Sequence, residues 1–204
     1  GRQGLFADFN TAISKRADIP ISAEVLPMAR AIKNLERGLT DCVIIARTPW
    51  SEEKFQPVAK ILNQFDAAIF TSAGLPITRI EDLGGRRLAI PRGSFLDSPI
   101  SSNPNIVRVL TNDYEQSVRL LKAGRVDAIA GSELSIFYYF SLEEIKREDI
   151  GSILPIVHAS LWLHCAKELV ADDVVTQLQQ ATEALRLEGV FDSLVKRYIS
   201  ADFS

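Results

Sequence analysis

Ten residues from Leu35 to Ile44 (LERGLTDCVI) return, 86 positions later, as Leu121 to Ala130 (LKAGRVDAIA). In both copies a helical stretch ends on a glycine, Gly38 or Gly124, which can take the left-handed conformation that closes a helix. An aspartate, Asp41 or Asp127, then opens an apolar run of strand length. A helix–Gly-x-x-Asp–strand unit that occurs twice points to two similar α/β lobes rather than one continuous sheet. Each lobe is expected to be a mostly parallel sheet flanked by helices. The length of 204 residues agrees, since at about 150 residues per domain it allows one large domain or two small lobes.

The rest of the chain alternates in the same manner. Helical periodicity covers Leu5–Arg16 and Met28–Arg37, with an extended run at Ile21–Leu26 between them. Cys42–Ala46 reads as a fully buried strand and Arg47–Glu53 (RTPWSEE) as a loop bent at Pro49. Further strands are expected at Phe65–Ser72, Arg86–Pro91, Val107–Leu110, Ala128–Gly131, Ile153–Val157 and Leu161–Ala166. Short helices are expected at Thr78–Leu83 and Tyr114–Ala123. Ser141 reads as the N-cap of a helix over Leu142–Arg147, and the aromatic run Phe137–Phe140 as mainly core. Asp172–Tyr198 reads as two helices broken at Gly189. Because the C-terminal helices have no sheet of their own, the chain is expected to return to the first lobe at its end. The division is then 1–68 with 160–204 as lobe 1 and 69–159 as lobe 2, joined by two hinge crossings. A ligand site is expected in the cleft of such a fold.

Composition narrows the function. Apolar residues make up 47%, enough to fill a core and to exclude disorder. A net charge of −3 and a pI near 5.5 argue against a nucleic-acid surface, which needs a clustered basic face. The apolar runs are strand-sized, far short of the ~20 residues of a membrane helix. The chain opens Gly1-Arg2-Gln3, without an initiator Met or apolar targeting stretch, as expected of a processed or trimmed protein. Cys42 and Cys165 are too few for a disulfide framework or metal cluster. They read first as small buried hydrophobes, with a single bridge between them as the alternative, and they leave the compartment open. His158 and His164, six residues apart in extended structure, do not have metal-ligand spacing. No nucleophile elbow, no paired Cys/His arrangement with a clear orienting group and no phosphate-cradling glycine loop is present. No cofactor is expected.

Taken together, the repeat, Arg47-Thr48-Pro49, Ile80–Ile90 (IEDLGGRRLAI), Arg92-Gly93-Ser94, the Ala123–Ala128 stretch and the ending Leu187–Asp192 to Lys196-Arg197-Tyr198 resemble the bacterial extracytoplasmic solute-binding proteins of family 3. These are the amino-acid-type receptors of ABC importers, also used as sensor domains. The resemblance covers nearly the whole chain and implies a two-lobed, hinge-bending, type II periplasmic binding fold. It also places the family's first strand, and the aromatic-bearing loop after it, before Gly1.

Carried over residue by residue, the family's pocket aromatic falls at Met28, with Arg30 just beyond. Its hydroxyls and backbone groups after the first-lobe strand fall at Ala46, Arg47 and Thr48. The family then usually reads Thr-Pro-Glu-Arg, and that Arg clamps the ligand's α-carboxylate. Here Ser51 stands in its place, beside Trp50. The Gly-Ser turn of the second lobe falls at Gly93, Ser94 and Phe95, with backbone N–H groups suited to an anion. The acid that receives an amino group falls near Ser132, with Glu133 next to it. With the usual clamp gone, Arg47 is the best candidate to grip a carboxylate or phosphate. Trp50 is a candidate to stack on a ligand or wall the cleft; Arg92 reads as an exposed neighbour of the glycine turn.

The function this implies is a non-catalytic periplasmic receptor, monomeric, that closes on a small polar, anionic ligand and serves an ABC permease or a sensor kinase. Closure would be driven by contacts made only in the closed state. Two alternatives share the scaffold: a dehydratase-like enzyme with Glu133 as acid/base, and the effector domain of a transcription regulator.

Overall fold

The computed structural model describes residues 4–95, 98–168 and 170–203. It contains two compact units, Gly1–Phe65 with Ala159–Tyr198, and Asp66–His158 with Ile199–Ser204. Unit 1 opens with α1 (Leu5–Ala17), α2 (Met28–Glu36), β1 (Cys42–Arg47), α3 (Pro49–Lys54) and β2 (Gln56–Leu62). Unit 2 holds β3 (Ala67–Ser72), a 3-10 turn at Ile80–Leu83, β4 (Arg87–Pro91), α4 (Pro99–Ser102), β5 (Val107–Thr111), α5 (Tyr114–Lys122), β6 (Ala128–Ser132), α6 (Glu133–Leu142) and β7 (Ile150–Val157). The chain then returns to unit 1 as β8 (Ser160–Cys165), α7 (Asp172–Leu187) and α8 (Val190–Tyr198). The last residues depart from the expected division: Ile199–Ser204 group with unit 2, where Phe203 stacks on Phe137 at 5.0 Å.

The sequence repeat is a structural repeat. At α2, Gly38 (φ 67°) donates to Leu35 O and Leu39 donates to Asn34 O, at 3.1 and 2.9 Å. At α5, Gly124 (φ 64°) donates to Leu121 O and Arg125 to Leu120 O, both at 2.9 Å. A side chain at either glycine would force an L-residue into left-handed backbone. The match continues past the glycine. The carbonyls of Asp41 and Asp127 accept from Ala166 N and Ser72 N, 2.8 and 3.0 Å away, locking β1 and β6 to their antiparallel neighbours.

Strand direction corrects the expectation of mostly parallel sheets. Unit 1 has the order β1-β8-β2 and unit 2 the order β5-β4-β6-β3-β7. β4 is parallel to β5 and β6, but β8 runs antiparallel to both β1 and β2, and β3 antiparallel to both β6 and β7. The cause lies in the connections. β3 and β8 each follow a passage of the chain from one unit to the other, Phe65 to Asp66 and His158 to Ala159. They enter their sheets at the end where the repeat strands leave: Ser160 lies opposite Arg47, and Ala67 opposite Ser132.

Other local expectations also change. Ile21–Leu26 forms no strand, because it has no sheet partner among the described residues. β1 is half-buried except at Ile45, since it is the outer strand of its sheet. The RTPWSEE loop contains a helix, α3, whose N-cap Thr48 and Ser51 form a capping box with Pro49 at the first position, a start signal in its own right. Ser141 is not an N-cap. It lies inside α6, which Ser132 caps, and donates to Phe137 O. The unit 2 core centres on Phe70, fully buried, with Phe137 and Phe140 edge-on at 5.5 and 5.7 Å.

Candidate functional site

In open α/β sheets, ligands meet the ends of strands from which helices depart. In unit 1 that end is Arg47 on β1. Its guanidinium pairs with Glu52 of α3, Nε to Oε1 at 2.7 Å, and lies 4.2 Å from the centroid of the Trp162 ring. The register explains the meeting: Arg47, Ile45 and Val43 face the same side as their partners Ser160, Trp162 and His164 on β8. Trp162 is held in turn by donation from Nε1 to Ser160 Oγ at 2.8 Å. On the far side of β8, Lys60 of β2 pairs with Trp162 and brings its Nζ to 5.9 Å from the ring.

The same side of the sheet holds a buried Ser–His contact. Ser51 and His164 are both fully buried, with Oγ and Nε2 3.3 Å apart. His164 Nδ1 is 3.4 Å from Trp162 O. A carbonyl can only accept, so Nδ1 carries the proton and Nε2 faces the Ser51 hydroxyl, whose one proton is also accepted by Thr48 O at 3.0 Å. Burial, with a further push from Arg47, holds the imidazole below the usual histidine range, against the opposing pull of the Trp162 carbonyl and Glu52. Ser51 and His164 thus form a packed, neutral pair. The unfolded imidazole takes its proton near pH 6.5, the folded one only at lower pH, so stability falls as pH drops through that range. Melting temperatures at pH 7.5 and 5.5 are expected to differ more in the wild type than in His164→Gln; parallel profiles would contradict the assignment.

The two cysteines are bridged: Cys42 and Cys165 sit directly opposite each other on β1 and β8. This corrects the preference for two free buried thiols, and the register is what brings them together.

In unit 2 the matching end is Ser132, N-cap of α6, whose Oγ accepts from Ser135 N at 3.4 Å. Glu133 begins α6 and donates its backbone N–H to Asp66 O at 2.9 Å. The Asp66 carboxylate, 8% exposed, receives His158 Nδ1 at 3.0 Å, while the His158 side chain is 79% exposed. Burial and the Asp66 carboxylate hold Glu133 above the usual carboxylate range, with His158 acting the other way. Of the unit 2 candidates, Glu133 joins Asp66 in an acidic cluster next to Ser132, with an exposed histidine at its edge.

The remaining expected residues are placed as follows. Ala46 lies on the opposite face of β1, paired with Leu161. Met28 packs on the core of Leu35, Ile45, Phe55 and Ala166, and Arg30 is exposed on α2. Trp50 sits on α3, edge-on to Phe55 at 5.7 Å and 42% exposed. Gly93 (φ 81°) and Phe95 (φ 57°) form a left-handed turn. The helix near it, α4, has four residues and starts at Pro99, and Ser94 N already donates to Pro91 O at 3.1 Å. The expected turn of free N–H groups at a helix start is therefore absent at Ser94. A cavity of about 310 Å³ in unit 2, lined by Asn112, Gln116, Arg119 and Arg125 among others, includes none of the expected residues. Sequence reasoning missed Trp162, Lys60, Asp66 and the pairing of His164; the signal for two of them was the alternation Ser160-x-Trp162-x-His164.

No protein-family model matches the chain. Over 209 aligned residues, 98% of this chain and 77% of the relative, it is 22% identical to the probable amino-acid-binding protein YxeM of Bacillus subtilis (strain 168). Among solved structures it is similar to the amino acid ABC transporter substrate-binding protein AbpA of Streptococcus pneumoniae bound to L-arginine, with TM-score 0.79, 15% identity and coverage of 99% and 86%. It is also similar to the GluR0 ligand-binding core of Nostoc punctiforme in complex with L-glutamate, with TM-score 0.78, 18% identity and coverage of 96% and 91%. The fold is that of these binding proteins, and the resemblance read from the sequence is borne out.

Proposed function

We propose that this chain is an extracytoplasmic receptor for an amino-acid-type ligand, serving an ABC importer or a sensor, and that its ligand carries an anionic group met by Arg47. The observation that carries this reading is the Arg47 guanidinium at the end of β1, 4.2 Å from the Trp162 ring centroid and held by Glu52. A fork fixed in one orientation loses little freedom when a carboxylate docks. Thr48 lies beside it at the start of α3. Within unit 2, Glu133 and Asp66 gather negative charge of their own. The disulfide supports an oxidising compartment such as the periplasm.

Among the described residues there is no cluster of metal-binding side chains and no helix long and apolar enough to cross a membrane. The curated relative bears a binding protein's name rather than an enzyme's. Glu133 is accordingly assigned to binding and not to acid/base chemistry.

A thermal-shift panel of amino acids, dicarboxylates, sugar acids and phosphorylated metabolites tests the reading. A ligand that binds only the native state at 100 times its Kd adds about 2.7 kcal/mol. A rise of several degrees with one amino-acid class is expected; a flat response to amino acids, with a rise for sugar acids or phosphates, would overturn the ligand class.

A further inference from the structure

Lys60 is a half-buried cation on β2 with no carboxylate partner among the described residues. It shares one indole with Arg47: Nζ lies 5.9 Å and the guanidinium carbon 4.2 Å from the Trp162 centroid. Both fall within the roughly 6 Å over which a cation and a ring attract. Glu52 is bound to Arg47, so two positive charges meet one negative charge on this face. Among the described residues no other ion pair reaches these two cations, and His164 is buried. Like charges converging on a partly desolvated surface repel, and a cation kept there without an acid is a cost that a bound anion would remove.

We propose that Lys60 is a specificity-determining residue of the Arg47–Trp162 site, and that it makes the receptor prefer ligands with two carboxylates over the same ligands with one carboxylate amidated. This rests on the receptor reading above and names its ligand class: acidic amino acids and related dicarboxylates. Arg47 takes one carboxylate through its planar fork. Lys60, a point charge on a flexible stem, reaches the other. The Trp162 ring lies within reach of both cations.

The test is calorimetric titration with L-glutamate and L-glutamine of the wild type, Lys60→Met and Lys60→Arg. One charge-assisted contact predicts a wild-type preference for glutamate of at least about tenfold. Lys60→Met is expected to remove most of that preference by weakening glutamate while glutamine changes less than about threefold. Lys60→Arg is expected to retain it, and also serves should the Met variant fail to fold. Equal wild-type affinities, a preference surviving in Lys60→Met, or one lost in Lys60→Arg would overturn the role of Lys60 and leave the receptor reading standing. Binding of neither amino acid by the wild type would overturn the dicarboxylate preference, and the receptor reading falls with it only if no other amino acid of the thermal-shift panel binds.

Discussion

Arg47→Met is expected to weaken ligand binding by about 10- to 100-fold, the cost of one lost charge-assisted hydrogen-bonded pair. The size follows from how the guanidinium is held. Glu52 engages Nε and Nη2 and the Trp162 ring lies 4.2 Å from the guanidinium carbon, so the remaining N–H groups keep a fixed direction. Arg47→Lys is expected to recover only part of the loss, because an ammonium cannot offer the planar fork. The arginine side chain is 37% exposed, so its removal should move the melting temperature little. Titration of both variants with the ligand found by the thermal-shift panel checks the expectation. Unchanged affinity in Arg47→Met would remove this residue from the site.

The second large effect concerns stability. Cys42 and Cys165 close a loop across a sequence separation of 123, and constraining so long a segment of the unfolded chain is worth about 4–5 kcal/mol in the chain-entropy account. The paired variant Cys42→Ala/Cys165→Ala is expected to melt roughly 10 °C lower than the oxidised wild type. Reducing the wild type should reproduce most of that loss. The bridge also ties the outer strand β1, and with it Arg47, to β8, which carries Trp162. Ligand affinity should therefore fall together with stability. A melting temperature unaffected by both treatments would contradict the bridge.

Much of the fold was legible because its signals are local. The glycines at 38 and 124 fix helix ends within a few residues, and both aspartates open strands as their spacing suggests. Strand direction was not legible, since it depends on where the chain enters each sheet and not on the composition of any strand. Ile21–Leu26 shows the same limit, for an apolar run becomes a strand only when a partner is present. The site divides along the same line. Arg47, Thr48 and Glu133 could be found at strand ends and helix starts. Lys60 and Trp162 meet Arg47 only through the β1-β8-β2 register, which joins segments more than a hundred residues apart in sequence. His164 was dismissed on metal spacing, and its actual partner, Ser51, is equally remote. The disulfide was missed as the favoured reading for that reason too: nothing within either cysteine's own segment reveals the other.

The most direct test is calorimetric titration of the purified protein with each of the common amino acids. Saturable binding of one ligand per chain is expected for an acidic amino acid, with a Kd of about 10 μM or tighter. No measurable heat or saturation with any amino acid at millimolar concentration would contradict the assignment of this chain as an amino-acid receptor.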